Sequence, residues 1–149
     1  MNLRILHVLD HSLPLHSGYT FRTLAILREQ RALGWQTVHL TTPKQGAGEI
    51  LQEEVDGWLF HRTPSASDSG LLSQMRLTAR RLQELVRATR PDLIHAHSPV
   101  LNALPSLWVG RRQGLPVVYE MRASWEDAAV DHGTTCEGSL RYRASRALE

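Results

Sequence analysis

The sequence predicts an α/β fold in which a mainly parallel, doubly wound sheet carries helices on both faces. Three observations predict it. Short aliphatic runs alternate with segments of helical periodicity, glycines sit where those helices should stop, and the opening strand, loop, helix and second strand fit within roughly forty residues, as a parallel crossover requires.

The elements follow in order. Leu3 to Leu9 alternates and is aliphatic, then Asp10-His11-Ser12-Leu13-Pro14 breaks it into a polar loop reaching Ser17-Gly18. Thr20 is the expected N-cap of a first helix with Phe21, Leu24, Ala25, Leu27 and Ala32 at helical spacing, and Gly34 ends it. Trp35 to Thr41 is a second strand; Pro43 to Glu54 reads as loop; Gly57-Trp58-Leu59-Phe60 is a short third strand. Asp68 or Ser69 can cap a long helix on Leu72, Met75, Ala79, Leu82 and Val86, whose other face carries Arg76, Arg80, Arg81 and Arg87 and which stops before Pro91. Leu93 to Ala96 is a fourth strand, Asn102 to Gln113 a third helix ending at Gly114, and Val117 to Tyr119 a fifth strand. Residues 120–138 read as a polar loop with Glu120, Arg122, Trp125, Glu126, Asp127 and Asp131. Residues 139–149 begin a helical pattern that breaks off, which suggests a piece of a longer parent. No repeat or linker divides the chain, so residues 1–149 form one domain.

Composition narrows the function. Hydrophobic residues at 42% and charged residues at 21% describe a folded globular domain, and no apolar run approaches the ~18 residues of a spanning helix. The N-terminus has no signal-peptide layout and Cys136 stands alone, so the expectation is a cytoplasmic protein without disulfides or a cysteine-built zinc site. A net charge of +2 is too small to imply nucleic-acid binding, although the cations are arginines apart from Lys44. A solvated arginine face on the long helix outweighs contact with anionic lipid, and both stay open.

Ligands of open parallel sheets bind outside the carboxyl ends of the strands, which selects residues 10–20, 97–102 and 120–131. Gly18 opens a helix whose N–H groups could face a phosphate, with the plain alternative that it only permits a turn. His95 and His97 lie two apart at a strand end and should project to one side, His97 being the more exposed and able to donate to a sugar hydroxyl or a diphosphate. A packed or solvated histidine is the alternative reading. His11, His16, His95 and His97 could face one crevice, but their spacing is no compact ligand set, so no metal is expected.

With these residues in place, the chain resembles the N-terminal domain of family 4 retaining glycosyltransferases, two-domain GT-B enzymes with Rossmann-like halves. The resemblance spans essentially all 149 residues and is carried by Ile5 to Leu9, Ser17-Gly18, Leu33-Gly34-Trp35, Val38 to Thr41 and above all Pro91-Asp92-Leu93-Ile94-His95-Ala96-His97-Ser98-Pro99. With Tyr119 to Glu126 it looks most like a bacterial branch associated with exopolysaccharide synthesis and exosortase protein sorting. The resemblance implies a nucleotide-sugar donor held by a C-terminal domain outside this sequence, no other cofactor, and a glycan or lipid-linked acceptor. It also implies that His97 is the catalytic histidine touching the transferring sugar and that Ser17 and Gly18 lie at the donor diphosphate. Ser17 departs from the family's Gly-Gly pair. His11, His16, Tyr19, Ser98, Asn102, Glu120 and Arg122 are the expected acceptor-cleft lining. The isolated half should be inactive, a place at the inner face of the cell membrane stays open, and so does pairing of two copies. Two rivals remain: a stand-alone phosphate- or sugar-binding module, and a metal-dependent hydrolase built on the histidine-rich edge.

Overall fold

Five consecutive buried residues, Ile5 to Leu9, put the first strand where only the middle of a sheet can satisfy it, with a hydrogen-bonded neighbour on each side and a layer over each face. The structure is a computed structural model and describes residues 2–65 and 70–122, together with Ser139, Arg143, Ala144 and Ala147. Strand β1 (Arg4–Leu9) pairs in parallel with β2 (Gln36–Thr41) and β5 (Leu93–His97); β4 (Trp58–Arg62) lies beyond β2 and β6 (Val117–Glu120) beyond β5, both parallel. The order is β3-β4-β2-β1-β5-β6, and the edge strand β3 (Gln52–Val55) alone runs antiparallel. Helix α1 (Gly18–Ala32) follows β1, α2 (Leu71–Thr89) follows β4 and α3 (Val100–Gln113) follows β5.

Alternation along β1 divides the core between the two faces. Leu6 and Val8 pack with Leu40 and Ile94 against Ala79, Leu82, Leu85 and Val86 of α2 and Val109 of α3. On the other face Leu9 packs with Leu13, Leu24, Leu27, Trp58 and Phe60 beneath α1. This is the Rossmann-like, doubly wound arrangement expected from the sequence. The strand order reverses between β1 and β5, and in open parallel sheets ligands bind at the carboxyl edge of such a switch point.

Four local expectations change. Residues 43–54 are not plain loop: they hold a 3-10 turn, Pro43–Gln45, and β3, which forms a hairpin with β4. The turn is Asp56-Gly57, with φ of +52° and +76°, the backbone a two-residue hairpin needs. The cap of α1 is Ser17, not Thr20; its Oγ accepts the Thr20 N–H at 3.1 Å, so the helix starts three residues earlier. Helix α2 starts after Gly70, an extended N-cap without a side-chain bond, while Asp68 and Ser69 lie outside the described residues. Helix α3 starts at Val100, ahead of the expected Asn102. Gly34 and Gly114 end α1 and α3 at φ of +81° and +66°, as anticipated. Trp125, Glu126, Asp127, Asp131 and Cys136 lie outside the described residues, and of the helical pattern at 139–149 the Arg143 N–H donating to Ser139 O is described. Among the described residues, no helix is long and apolar enough to cross a membrane.

Candidate functional site

The α1 face of the sheet carries a feature that no local pattern announces. Strand register places His39, His7 and His95 side by side across β2, β1 and β5, and His97 follows two residues on. His7 lies 5.0 Å from His95 and 5.2 Å from His97 by ring centroids, and His95 stacks on His97 at 4.1 Å. His7, His39 and His97 are buried and His95 is partly so. Burial, which disfavours the imidazolium, is the main cause that lowers all four pKa values: His39 and His97 fall to about 4, and His7 falls well below its ordinary value. At neutral pH the row is uncharged.

Hydrogen-bond chemistry fixes its tautomers. Arg122 Nη2 can only donate, so its contact with His97 Nδ1 requires the lone pair there and the proton on Nε2. His97 Nε2–H then donates to His7 Nδ1 at 2.9 Å, and His7 Nε2–H donates to Gln30 Oε1 at 2.9 Å. One directed chain therefore runs from Arg122 through both rings to α1. His39 is separate: its Nδ1–H donates to Leu59 O and its Nε2 accepts from Thr37.

Glu120, at the end of β6, gathers the charges. Its Oε1 lies 3.1 Å from both Arg22 Nη2 and Arg122 Nε; its Oε2 lies 3.0 Å from His97 Nδ1 and 3.3 Å from His95 Nε2. Among the described residues Oε2 receives no well-aligned hydrogen bond, because His97 Nδ1 already takes the proton of Arg122. The Arg122 guanidinium, which spans Glu120 and His97, favours the ionised carboxylate and lowers the carboxyl from its ordinary 4.5. Arg122 is clamped as well: Nη1 donates to Tyr19 O and Thr23 Oγ1 in the first turns of α1, and its guanidinium lies 4.3 Å over the Tyr19 ring.

The first loop closes the edge. His11 donates from Nδ1 to Asp10 at 3.2 Å and accepts at Nε2 from Ser17 Oγ at 2.8 Å, while Lys44 Nζ pairs with Asp10 at 3.1 Å. Tyr19 OH accepts the Asp10 N–H, and its ring packs 4.7 Å from His11. Among the described residues, a Cβ added at Gly18 would meet nothing within 4 Å, so a side chain could be accommodated at the first position of α1.

These positions amend the expected site. His97 is fully buried with both ring nitrogens engaged, whereas His95 keeps 14% of its side chain exposed, the reverse of the expectation; β5 runs through His97, so Glu120 and Arg122 cover it. Ser98 and Asn102 lie at the β5–α3 turn, and Asn102 borders a small hollow with Thr42, Lys44 and Leu71. Both are buried, and Asn102 Nδ2 donates to His97 O at 2.8 Å, tying the β5–α3 turn. His16 is exposed and stacks on Phe21 at 5.7 Å, apart from the other histidines, and the side chain of Ser17 is consumed in capping α1. His11, Tyr19, Glu120 and Arg122 do come together with Gly18. Sequence reading missed His7, Gln30, Thr23 and Arg22; of these only His7, at alternate spacing from Leu9 on the opening strand, carried a signal. The four histidines weighed as a rival metal set, His11, His16, His95 and His97, do not gather, and ring nitrogens of His7, His95 and His97 lie instead within 4.8 Å of one another. An ion could enter there only by displacing the His7–His97 hydrogen bond, beside the fixed charge of Arg122.

The order of strands and the position of this cluster at the switch point agree with a sequence-family match over residues 17–149 to the glycosyl transferase 4-like domain. The chain belongs to that family. Its fold is shared with CalG4, the calicheamicin glycosyltransferase, at a TM-score of 0.52 and 12% identity; the alignment covers 96% of this chain and 40% of that one. It is shared equally with the C-terminal domain of a hydrogenase from Pyrococcus furiosus, at a TM-score of 0.54 and 17% identity over 80% of this chain and 91% of that one. Such likeness speaks to fold alone. No curated protein matches the sequence. The family match therefore makes this glycosyl transferase 4-like chain a glycosyltransferase-type domain, and the cluster around Glu120 and Arg122 lies at the carboxyl edge of its sheet.

Proposed function

We propose that the domain is the acceptor-side half of a retaining glycosyltransferase, which moves a sugar from a nucleotide-sugar donor to a glycan or lipid-linked acceptor in exopolysaccharide or other cell-surface glycan synthesis. The carrying observation is that a buried arginine, Arg122, is locked beside the N-terminus of α1 at the switch point, within a chain of the glycosyl transferase 4-like family. A second Rossmann-like domain supplies the donor pocket in this reading. The work is done at the inner face of the membrane.

In the proposed mechanism the acceptor hydroxyl attacks the anomeric carbon on the face from which the nucleoside diphosphate departs. Negative charge builds on the leaving diphosphate, and preorganised positive groups stabilise it most when water is excluded. The N–H groups at Gly18 and the Arg122 guanidinium are those groups; the reading includes no metal. Glu120 and His97 hold Arg122 from two sides, so His97 acts through the arginine rather than on the sugar.

The test is a transfer assay of the protein joined to its donor half, with labelled nucleotide sugars. Arg122→Ala should reduce kcat/KM by on the order of a hundredfold, and Gly18→Val should impair diphosphate binding without unfolding the domain, since its Cβ meets open space. Full activity in both variants overturns the site.

A further inference from the structure

Helices α2 and α3 lie side by side on the face opposite the histidine row, and the seam between them is open. Leu72, Met75, Arg76 and Ala79, one stripe of α2, face Leu104, Pro105 and Trp108 of α3 across a groove of about 380 Å³. Leu72 is 69% exposed, Leu71 52%, Trp108 48% and Leu107 40%, so large apolar side chains stand beside the groove as well as inside it. A merely solvated cationic face has no reason to carry them.

The surrounding charge has one sign. The two helices contain six arginines, Arg76, Arg80, Arg81, Arg87, Arg111 and Arg112, against the single acid Glu84. Arg81 is committed to the fold, donating to Arg62 O and Leu51 O and pairing with Glu84 at 2.9 Å. The others project outward: Arg80 keeps 83% of its side chain exposed, and the guanidinium of Arg112 lies 5.0 Å over the Trp108 ring. An apolar trough, an indole at its lip and a cationic margin match the three layers of an anionic bilayer surface, where acyl chains, the interface and the headgroups meet in that order. A second copy of this chain is the poorer occupant, because a two-fold contact would bring like-charged faces together.

We infer that the α2–α3 face seats the domain on an anionic lipid surface, Leu72 and Trp108 entering the acyl boundary while Arg76, Arg80 and Arg112 meet headgroup phosphates. Both helices begin at the carboxyl edge of the sheet, α2 after β4 and α3 after β5, so the seated face adjoins the edge where Gly18 and Arg122 meet. That neighbourhood lets a lipid-linked acceptor stay in the bilayer while its headgroup reaches the cleft; this last link rests on the transfer reading, and the seating does not.

Co-sedimentation with vesicles tests it, using phosphatidylglycerol mixed with phosphatidylcholine against phosphatidylcholine alone. Partition should be at least tenfold stronger on the anionic vesicles and should weaken in 0.5 M salt, as screening of headgroup contacts requires. Arg76→Glu with Arg112→Glu, and separately Leu72→Ser with Trp108→Ser, should each reduce partition at least tenfold while the urea midpoint shows the domain folded. Arg28→Glu, on the opposite helix α1, should leave it unchanged. Equal partition of wild type and both double variants, absence of binding to anionic vesicles, or a dimer that Leu72→Ser with Trp108→Ser disperses, each overturns the inference. Because no donor sugar enters the assay, failure here leaves the transfer reading standing, and an inactive transferase that still partitions leaves the seating standing.

Discussion

Acidification should begin to destabilise this domain at a higher pH than its carboxylates alone would set. His39 is buried beneath α1, donates to Leu59 O, accepts from Thr37 and packs against Trp58 and Phe60 at 5.6 and 5.5 Å. Burial lowers its pKa from 6.5 to about 4. An unfolded chain therefore takes up the proton first. Stability is nearly complete above pH 6.5 and declines as pH falls towards the folded value, by about 2–3 kcal/mol from this one group at pH 4.5. His97, lowered to about 4 by the same cause, adds a loss of similar size, and His7 and His95 shift in the same direction. Glu120, held at about 2, and Asp10, also lowered, lose their contributions only below their ordinary values near 4, so the interval from pH 6.5 to 4.5 isolates the histidines. Urea denaturation followed by circular dichroism measures this; with a slope of roughly 2 kcal/mol per molar, each histidine lowers the midpoint by about 1 M. His39→Asn keeps a donor for Leu59 O without a titrating ring. It should begin less stable at pH 7.5 and decline about 2 kcal/mol less between pH 6.5 and 4.5. A flat wild-type midpoint over that interval, or equal declines in the two proteins, would refute the reasoning.

Arg62→Ala should cost on the order of 3 kcal/mol, because the fully buried guanidinium ties Ser12 Oγ and Leu13 O at 2.6 Å to Glu53 at 2.6 Å and its loss removes the charged donor from all three; a melting temperature within two or three degrees of wild type contradicts this. Gly110→Ala should cost about 1–3 kcal/mol, since the new methyl falls 2.4 Å from Val117 Cγ2 and 2.9 Å from Leu115 O, with β6 and its approach unable to withdraw together. Gly18→Ala is the contrasting case: nothing lies within 4 Å, so its melting temperature should hold or rise slightly, and a clear loss of stability would show that the α1 N-terminus is packed against protein.

The sequence alone determined what depends on neighbours along the chain. Alternation at Leu3 to Leu9, helical spacing from Leu72 to Val86, and the stops at Gly34 and Gly114 are local signals, and β1, α2 and the ends of α1 and α3 follow them. The hairpin of β3 with β4 was also written there, in Asp56-Gly57, but Gln52-Glu53-Glu54 is too polar for hydrophobic periodicity to reveal an edge strand. Only the tertiary structure decided that His39, His7 and His95 share one row, that Arg62 is buried, and that His97 lies beneath Arg122 and Glu120. Those contacts join residues tens of positions apart, and strand order and register set them. A one-residue slip would have turned every one of those side chains to the opposite face.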